Sequence, residues 1–173
     1  MQKIRLGISG CLLGQAVRYD GGHRLAAALV AGLTPIVELV PVCPEWEAGL
    51  GVPREVMRLE GDPARPRLLT IHTRLDRTEI LLAWAARRLV ELRAANLAGF
   101  IFKARSPSCG IGSVAIHQAG APGPATASGL FADLFMAGFP DLPVADEGIV
   151  NRPQDFAAFV AQLQAIRSGL LPA

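Results

Sequence analysis

Apolar and polar positions along this chain alternate between two periods. Ile4 to Ser9 is a short apolar run closed by Gly10, which predicts a strand. His23 to Ala31 carries an Ala- and Leu-rich helical pattern behind Gly21-Gly22. Pro35 to Val42 is apolar and β-branched and predicts a buried strand. Val56 to Glu60 and Arg67 to His72 flank a Gly-Asp-Pro turn and predict a small β excursion. From Asp76 to Asn96, Leu81, Leu82, Ala85, Leu89 and Leu92 recur at helical spacing, with Asp76 placed to cap the helix. Gly99 to Ala104 predicts a further strand, Ser128 to Ala137 a helix, Leu142 to Ala145 a last strand, and Pro153 to Ser168 a last helix. Pro153 suits the first turn of that helix.

Strands that alternate with helices predict a three-layer α/β sandwich with a mainly parallel, Rossmann-like central sheet, here with the β excursion around residues 56–72. Crossovers in such sheets are right-handed, so successive strands point the same way. Their ends then open onto one edge, where ligands bind.

Composition narrows the classes. The chain has 173 residues, 51% of them hydrophobic and 18% charged, which excludes a disordered chain and predicts one α/β domain over residues 1–173. Seventeen basic residues against fifteen acidic give a net charge of +2, so no electrostatic case exists for a dedicated nucleic-acid binder, and a small substrate is expected. No apolar run is long enough for a membrane span, and the first residues do not resemble a secretion signal. A cytoplasmic protein is expected. Three cysteines, an odd count, do not make a disulfide framework.

The cysteines carry the candidate chemistry. Cys11 lies just past the first strand, Cys43 at the end of the second, and Cys109 a few residues past the Gly99–Ala104 strand. A parallel sheet would bring all three to one edge. A free cysteine is often only a small buried hydrophobe. These three sit instead in Gly- and Pro-bearing loops, where sites are built. A closed zinc site needs four ligands, and His23, His72 and His117 have no ligand-like spacing to any cysteine. An iron–sulfur cluster accepts three cysteines and leaves one iron open as a Lewis acid. No C-x-x-C pair is present, so spacing alone does not choose between them.

The flanking residues offer further groups. Arg18 and Asp20 lie in the turn Arg18-Tyr19-Asp20-Gly21-Gly22, which reads equally as a polar cap and as part of a pocket. Glu45, two residues after Cys43, reads as a proton shuttle or as a surface charge at a strand end. Ser106, Ser108 and the amides from Gly110 to Ser113 form a donor-rich loop, suited to an anion or a polar ring, or to a tight turn.

Gly10-Cys11-Leu12-Leu13-Gly14, Arg18-Tyr19-Asp20-Gly21-Gly22, Pro41-Val42-Cys43-Pro44-Glu45 and Ser106-Pro107-Ser108-Cys109-Gly110, in this order, resemble the family catalogued as domain of unknown function 523. The stretch Gly49-Leu50-Gly51-Val52-Pro53-Arg54 is similar to it too, and the resemblance runs from the first strand to the last helix. It implies a 4Fe–4S cluster held by Cys11, Cys43 and Cys109, with one open iron. It implies non-redox removal of sulfur from a thiouracil-like pyrimidine, giving uracil and hydrogen sulfide by way of sulfide on that iron. Glu45 and a serine of the Ser106–Ser108 loop would be the acid–base groups. With them, Asp20 is expected in the chemistry, and Arg18, Ser106 and Gly110 in holding the ring. The chain departs from the family at Val17, where many members carry another cysteine. Two other classes are open on the same scaffold: a non-enzymatic iron–sulfur or sulfur carrier, and a zinc-dependent hydrolase.

Overall fold

The computed structural model describes residues 3–120, 123 and 125–168. Its main sheet is built from β1 (Ile4–Ser9), β2 (Val37–Val42), β5 (Leu97–Phe102) and β8 (Val144–Asp146), in the order β2-β1-β5-β8. All three pairings are parallel, with Ser9 opposite Val42, Ile8 opposite Ile101, and Phe102 opposite Asp146. Every residue of β5 is buried, as a central parallel strand covered on both faces requires.

The two faces hold separate cores. On one, α1 (Ala27–Leu33) and α5 (Pro153–Arg167) bring Leu29, Leu33, Phe159 and Leu163 onto Leu6, Ile8 and Ile101. On the other, α3 (Thr78–Ala94) and α4 (Leu130–Gly138) bring Trp84, Phe131 and Phe135 onto Phe100 and Phe102. The rings of Phe100 and Phe102 stack 4.2 Å apart, and Phe135 meets Phe100 edge-on at 5.0 Å. Such pairs add to the apolar area they bury.

A second sheet shares the Phe100 core through Leu59, Leu68 and Ile116. Its strands are β3 (Met57–Glu60), β4 (Arg67–Thr70), β6 (Val114–His117) and β7 (Ala125–Ala127), in the order β4-β3-β6-β7. The excursion around 56–72 therefore forms half of this sheet. Its hairpin is antiparallel, with Glu60 opposite Arg67. Strands β6 and β7, four and three residues long, are absent from the sequence reading; pairing with β3 and with each other makes them strands.

The first helix also differs. It begins at Ala27, not His23, because Arg24 and Ala26 donate their amides to the carbonyls of Cys11 and Leu12. That pins the segment to the 3-10 turn Gly10–Leu13 and withholds it from the helix. At α3, Arg77 and not Asp76 takes the N-cap position, and Asp76, one residue earlier, accepts the amide of Thr78 at 2.9 Å. Among the described residues, no helix is long and apolar enough to cross a membrane.

The connection β1–α1–β2 crosses one face, and β5–α4–β8 crosses the other. The chain thus changes direction between β1 and β5. Open α/β sheets bind ligands beside the strand ends at such a switch point.

Glu60, at the end of β3, takes Arg74 at 2.5 and 2.7 Å and Arg58 at 2.7 Å. Arg74 first, then Arg58, pulls its carboxyl down from the usual 4.5 to about 2. A depressed carboxyl stabilises the fold above its unfolded value and stops doing so as pH falls through its folded value. Urea midpoints of the wild type and Glu60→Gln are therefore expected to differ at neutral pH and to converge as pH falls from 4.5 to about 2.

Candidate active site

Three strand ends surround one cavity of about 390 Å³, within the range of small-molecule sites. Cys11 reaches it from the 3-10 turn that follows β1. Cys43 stands at the junction of β2 and α2 (Pro44–Glu47). Its amide donates to Glu47 Oε1 at 2.8 Å, and Glu47 is held by Arg88 at 3.2 Å. Cys109 arrives from the loop after β5, where its amide donates to Ser106 Oγ at 3.1 Å. All three cysteines are free; Cys11 and Cys109 are buried and Cys43 partly so.

Burial disfavours the thiolate, so it raises all three thiols, Cys43 to about 11. The negative charge of each neighbouring thiolate adds to that. Cys11 raises Cys43, and both raise Cys109, so the three sulfurs share one electrostatic environment. Lys103 and then Arg18 act the other way on Cys11. Among the described residues, no three His, Cys, Asp or Glu side chains gather closely enough to hold one metal ion. All three thiols line the cavity wall.

A carboxylate and two serines face the same space. Glu45 Oε2 accepts from Arg54 Nε at 2.8 Å and Nη2 at 2.5 Å, and its Oε1 accepts from Ser108 Oγ at 2.7 Å. The Glu45 and Arg54 side chains are only 12% and 7% exposed. Ser106 Oγ lies 3.1 Å from Ser108 Oγ and accepts the amides of Ser108 and Cys109. With two amides on its oxygen, Ser106 is left to donate its own proton toward Ser108.

The remaining expected residues divide. Arg18 lines the cavity, lies 5.3 Å over the ring of Tyr19, and pairs its Nε with Asp20 Oδ1 at 3.5 Å. Asp20 is not in the lining. Its carboxylate accepts the amide of Gly22 at 3.0 Å, the short-range turn that Asp-x-Gly favours, and this bond holds its carboxyl below the usual range. Gly110 is likewise outside the lining, with its amide donating to the carbonyl of Ser106 at 2.8 Å. A Cβ there would stand 2.4 Å from Val114, so the position needs glycine for packing. Val17 is in the cavity wall, and none of His23, His72 and His117 is.

Arg54, Lys103 and Ser9 were not singled out as site residues from sequence, yet all three line the cavity. Ser9 Oγ accepts the amide of Lys103 at 2.9 Å and so ties β1 to β5 at the switch point. Lys103 Nζ is bound by Glu147, which also accepts the amide of Ala104 at 2.6 Å. The available signal was a lone cation directly after an all-apolar strand, and an arginine closing the Gly49–Arg54 stretch.

A doubly wound sheet with three free thiols and a clamped carboxylate at its switch point places the chain among α/β proteins whose chemistry is centred on cysteine. The 2-thiouracil desulfurase family model matches residues 6–147, and the chain belongs to that family. The family is one of enzymes that cleave a C–S bond. Among solved structures, the chain is similar to a 4Fe–4S-dependent thiouracil desulfidase, TudS, with TM-score 0.71 and 26% identity over 92% of this chain and 99% of that one. It is also 31% identical over 112 residues to the uncharacterized protein YbbK of Bacillus subtilis (strain 168), covering 62% of this chain and 74% of that protein.

Gly129 supports the Cys109 loop from behind. A Cβ there would lie 2.5 Å from the Ser108 carbonyl carbon and 2.7 Å from the Cys109 nitrogen, neither of which can swing aside. Gly129→Ala is expected to cost about 1–3 kcal/mol, read from urea midpoints, as over-packing does. Cys109 should also react faster with a thiol reagent than in the wild type.

Proposed function

We propose that this chain removes sulfur from a thiolated pyrimidine by hydrolysis, at the cavity between β1, β2 and β5. The observation that carries this reading is that three thiols and the Glu45–Ser108 pair line the same cavity. The family and the likeness to a 4Fe–4S-dependent thiouracil desulfidase support it.

The donor set fits an iron–sulfur cluster. Three soft sulfur donors, none bound in a disulfide, line one cavity, and Lys103 and Arg18 offset thiolate charge at Cys11. All-thiolate donors are the set an iron–sulfur cluster takes. Cys11, Cys43 and Cys109 would hold it, and when bound it supplies a Lewis acid for the sulfur of the C=S group.

The chain's own residues then supply proton handling and orientation. Glu45 keeps one oxygen on Arg54 and turns the other, through Ser108, to the cavity. It takes a proton from the attacking water through the Ser108 hydroxyl. The water oxygen bonds to the ring carbon, the C–S bond breaks, and the sulfur leaves as hydrogen sulfide. The sum is thione plus water to carbonyl plus hydrogen sulfide, with no electron donor. Ser106 steadies Ser108, and Arg18, in the cavity wall and paired to Asp20, is placed to hold a polar edge of the ring.

Anaerobic purification is expected to give a brown protein with about four irons per chain that releases sulfide from 2-thiouracil. Glu45→Gln should keep the iron and lose turnover by about 10²–10⁴-fold, the range for a proton-transfer residue. Cys43→Ser should lose iron as well. A colourless protein after reconstitution, a single bound zinc, or a fully active Glu45→Gln variant would refute the reading.

A further inference from the structure

Arg54 is not a free cation waiting for a ligand. A guanidinium has five N–H donors. Here Nε and Nη2 both go to Glu45 Oε2, and Nη1 goes to the carbonyls of Val17 at 3.0 Å and Gly51 at 2.9 Å. Four donors are committed to fixed protein acceptors, which leaves one on Nη2. The side chain is 7% exposed, so these bonds are shielded from water. Its backbone is fixed too, since the Arg54 amide donates to the Tyr19 carbonyl at 2.8 Å. Arg18, in contrast, lines the same cavity with a single, longer carboxylate contact, from Nε to Asp20 Oδ1 at 3.5 Å.

The consequence falls on Glu45. Both Arg54 bonds end on the same carboxylate oxygen, Oε2. Oε1 is left to Ser108 alone. A carboxylate on an unclamped side chain rotates and presents either oxygen. A two-pronged clamp on one oxygen removes that freedom and fixes which oxygen meets the serine. Arg54 also holds the Val17 carbonyl, which lies 3.8 Å from Cys43 Sγ. One side chain thus sets the carboxylate relative to the wall beside Cys43.

We propose that Arg54 is a positioning residue for the reaction: by clamping Glu45 Oε2 and the Val17 carbonyl together, it holds Oε1 on Ser108 at the cavity wall. This rests on the reading of Glu45 and Ser108 as the proton-handling pair. Lysine is a poor replacement, because it carries the charge without the planar fork.

The test uses Arg54→Met and Arg54→Lys in the reconstituted full chain, with 2-thiouracil as the probe. Iron per chain, melting temperature, kcat, KM and a crystal structure are read for each. For Arg54→Met, kcat is expected to fall about 10²-fold with KM within about threefold and iron unchanged, and Arg54→Lys to lie between it and the wild type. The crystal structure of Arg54→Met should show Glu45 off Ser108. Unchanged kcat with Glu45 still on Ser108 overturns the proposal. So does loss of iron and of melting temperature in both variants, which would make Arg54 a strut of the fold. If the wild type itself releases no sulfide, the proposed function fails, and the crystal structures alone decide Arg54: a displaced Glu45 supports its role and an unmoved one overturns it.

Discussion

Parallel pairing of β1 with β2 on one side and β5 on the other makes three strands end at the same edge of the sheet. The three thiols hang from those ends. The crossovers leave β1 and β5 on opposite faces, so no helix fills the crevice between them. Ser9 closes the last gap by taking the amide of Lys103, which keeps the two strand ends in register where the thiol-bearing loops begin. Had either pairing been antiparallel, Cys11, Cys43 and Cys109 would not share an edge.

The two cores give this edge its rigidity. Phe100 and Phe102 anchor β5 to α3, α4 and the second sheet through a cluster of stacked and edge-on rings. Leu6, Ile8 and Ile101 anchor the other face to α1 and α5. The second sheet has a further role. Its strand β3 begins at Met57, which with Val56 and Arg54 just before it forms part of the cavity wall. Part of the cavity wall therefore comes from outside the main sheet.

Electrostatics at this cavity is organised by two partly buried ion pairs, Arg54–Glu45 and Lys103–Glu147. Removing one partner of a buried pair leaves an unpaired charge, typically at a cost of about 3–5 kcal/mol. Each pair also accepts or donates backbone hydrogen bonds, which offsets its desolvation. Burial drives the thiols toward their neutral form. The fold thus places the three sulfurs and the tethered Glu45 on one cavity.

By itself the sequence determined the alternation of strands and helices, the parallel sheet, and the arrival of Cys11, Cys43 and Cys109 at one edge. These follow from local periodicity and from the one-way run of parallel strands, both written in consecutive residues. Glu45 and the two serines were legible for the same reason, since each lies within three residues of a cysteine. The short strands β6 and β7 were not, because their pairing and not their own pattern makes them strands. Asp20 and Gly110 read as site residues, but a turn bond and a packing contact place them outside the cavity lining. The clamps were decided only in three dimensions. Arg54 meets Glu45 nine residues away and Val17 thirty-seven away, and Lys103 meets Glu147 across forty-four. No periodicity links such positions; they meet because packing the two cores brings the loops together.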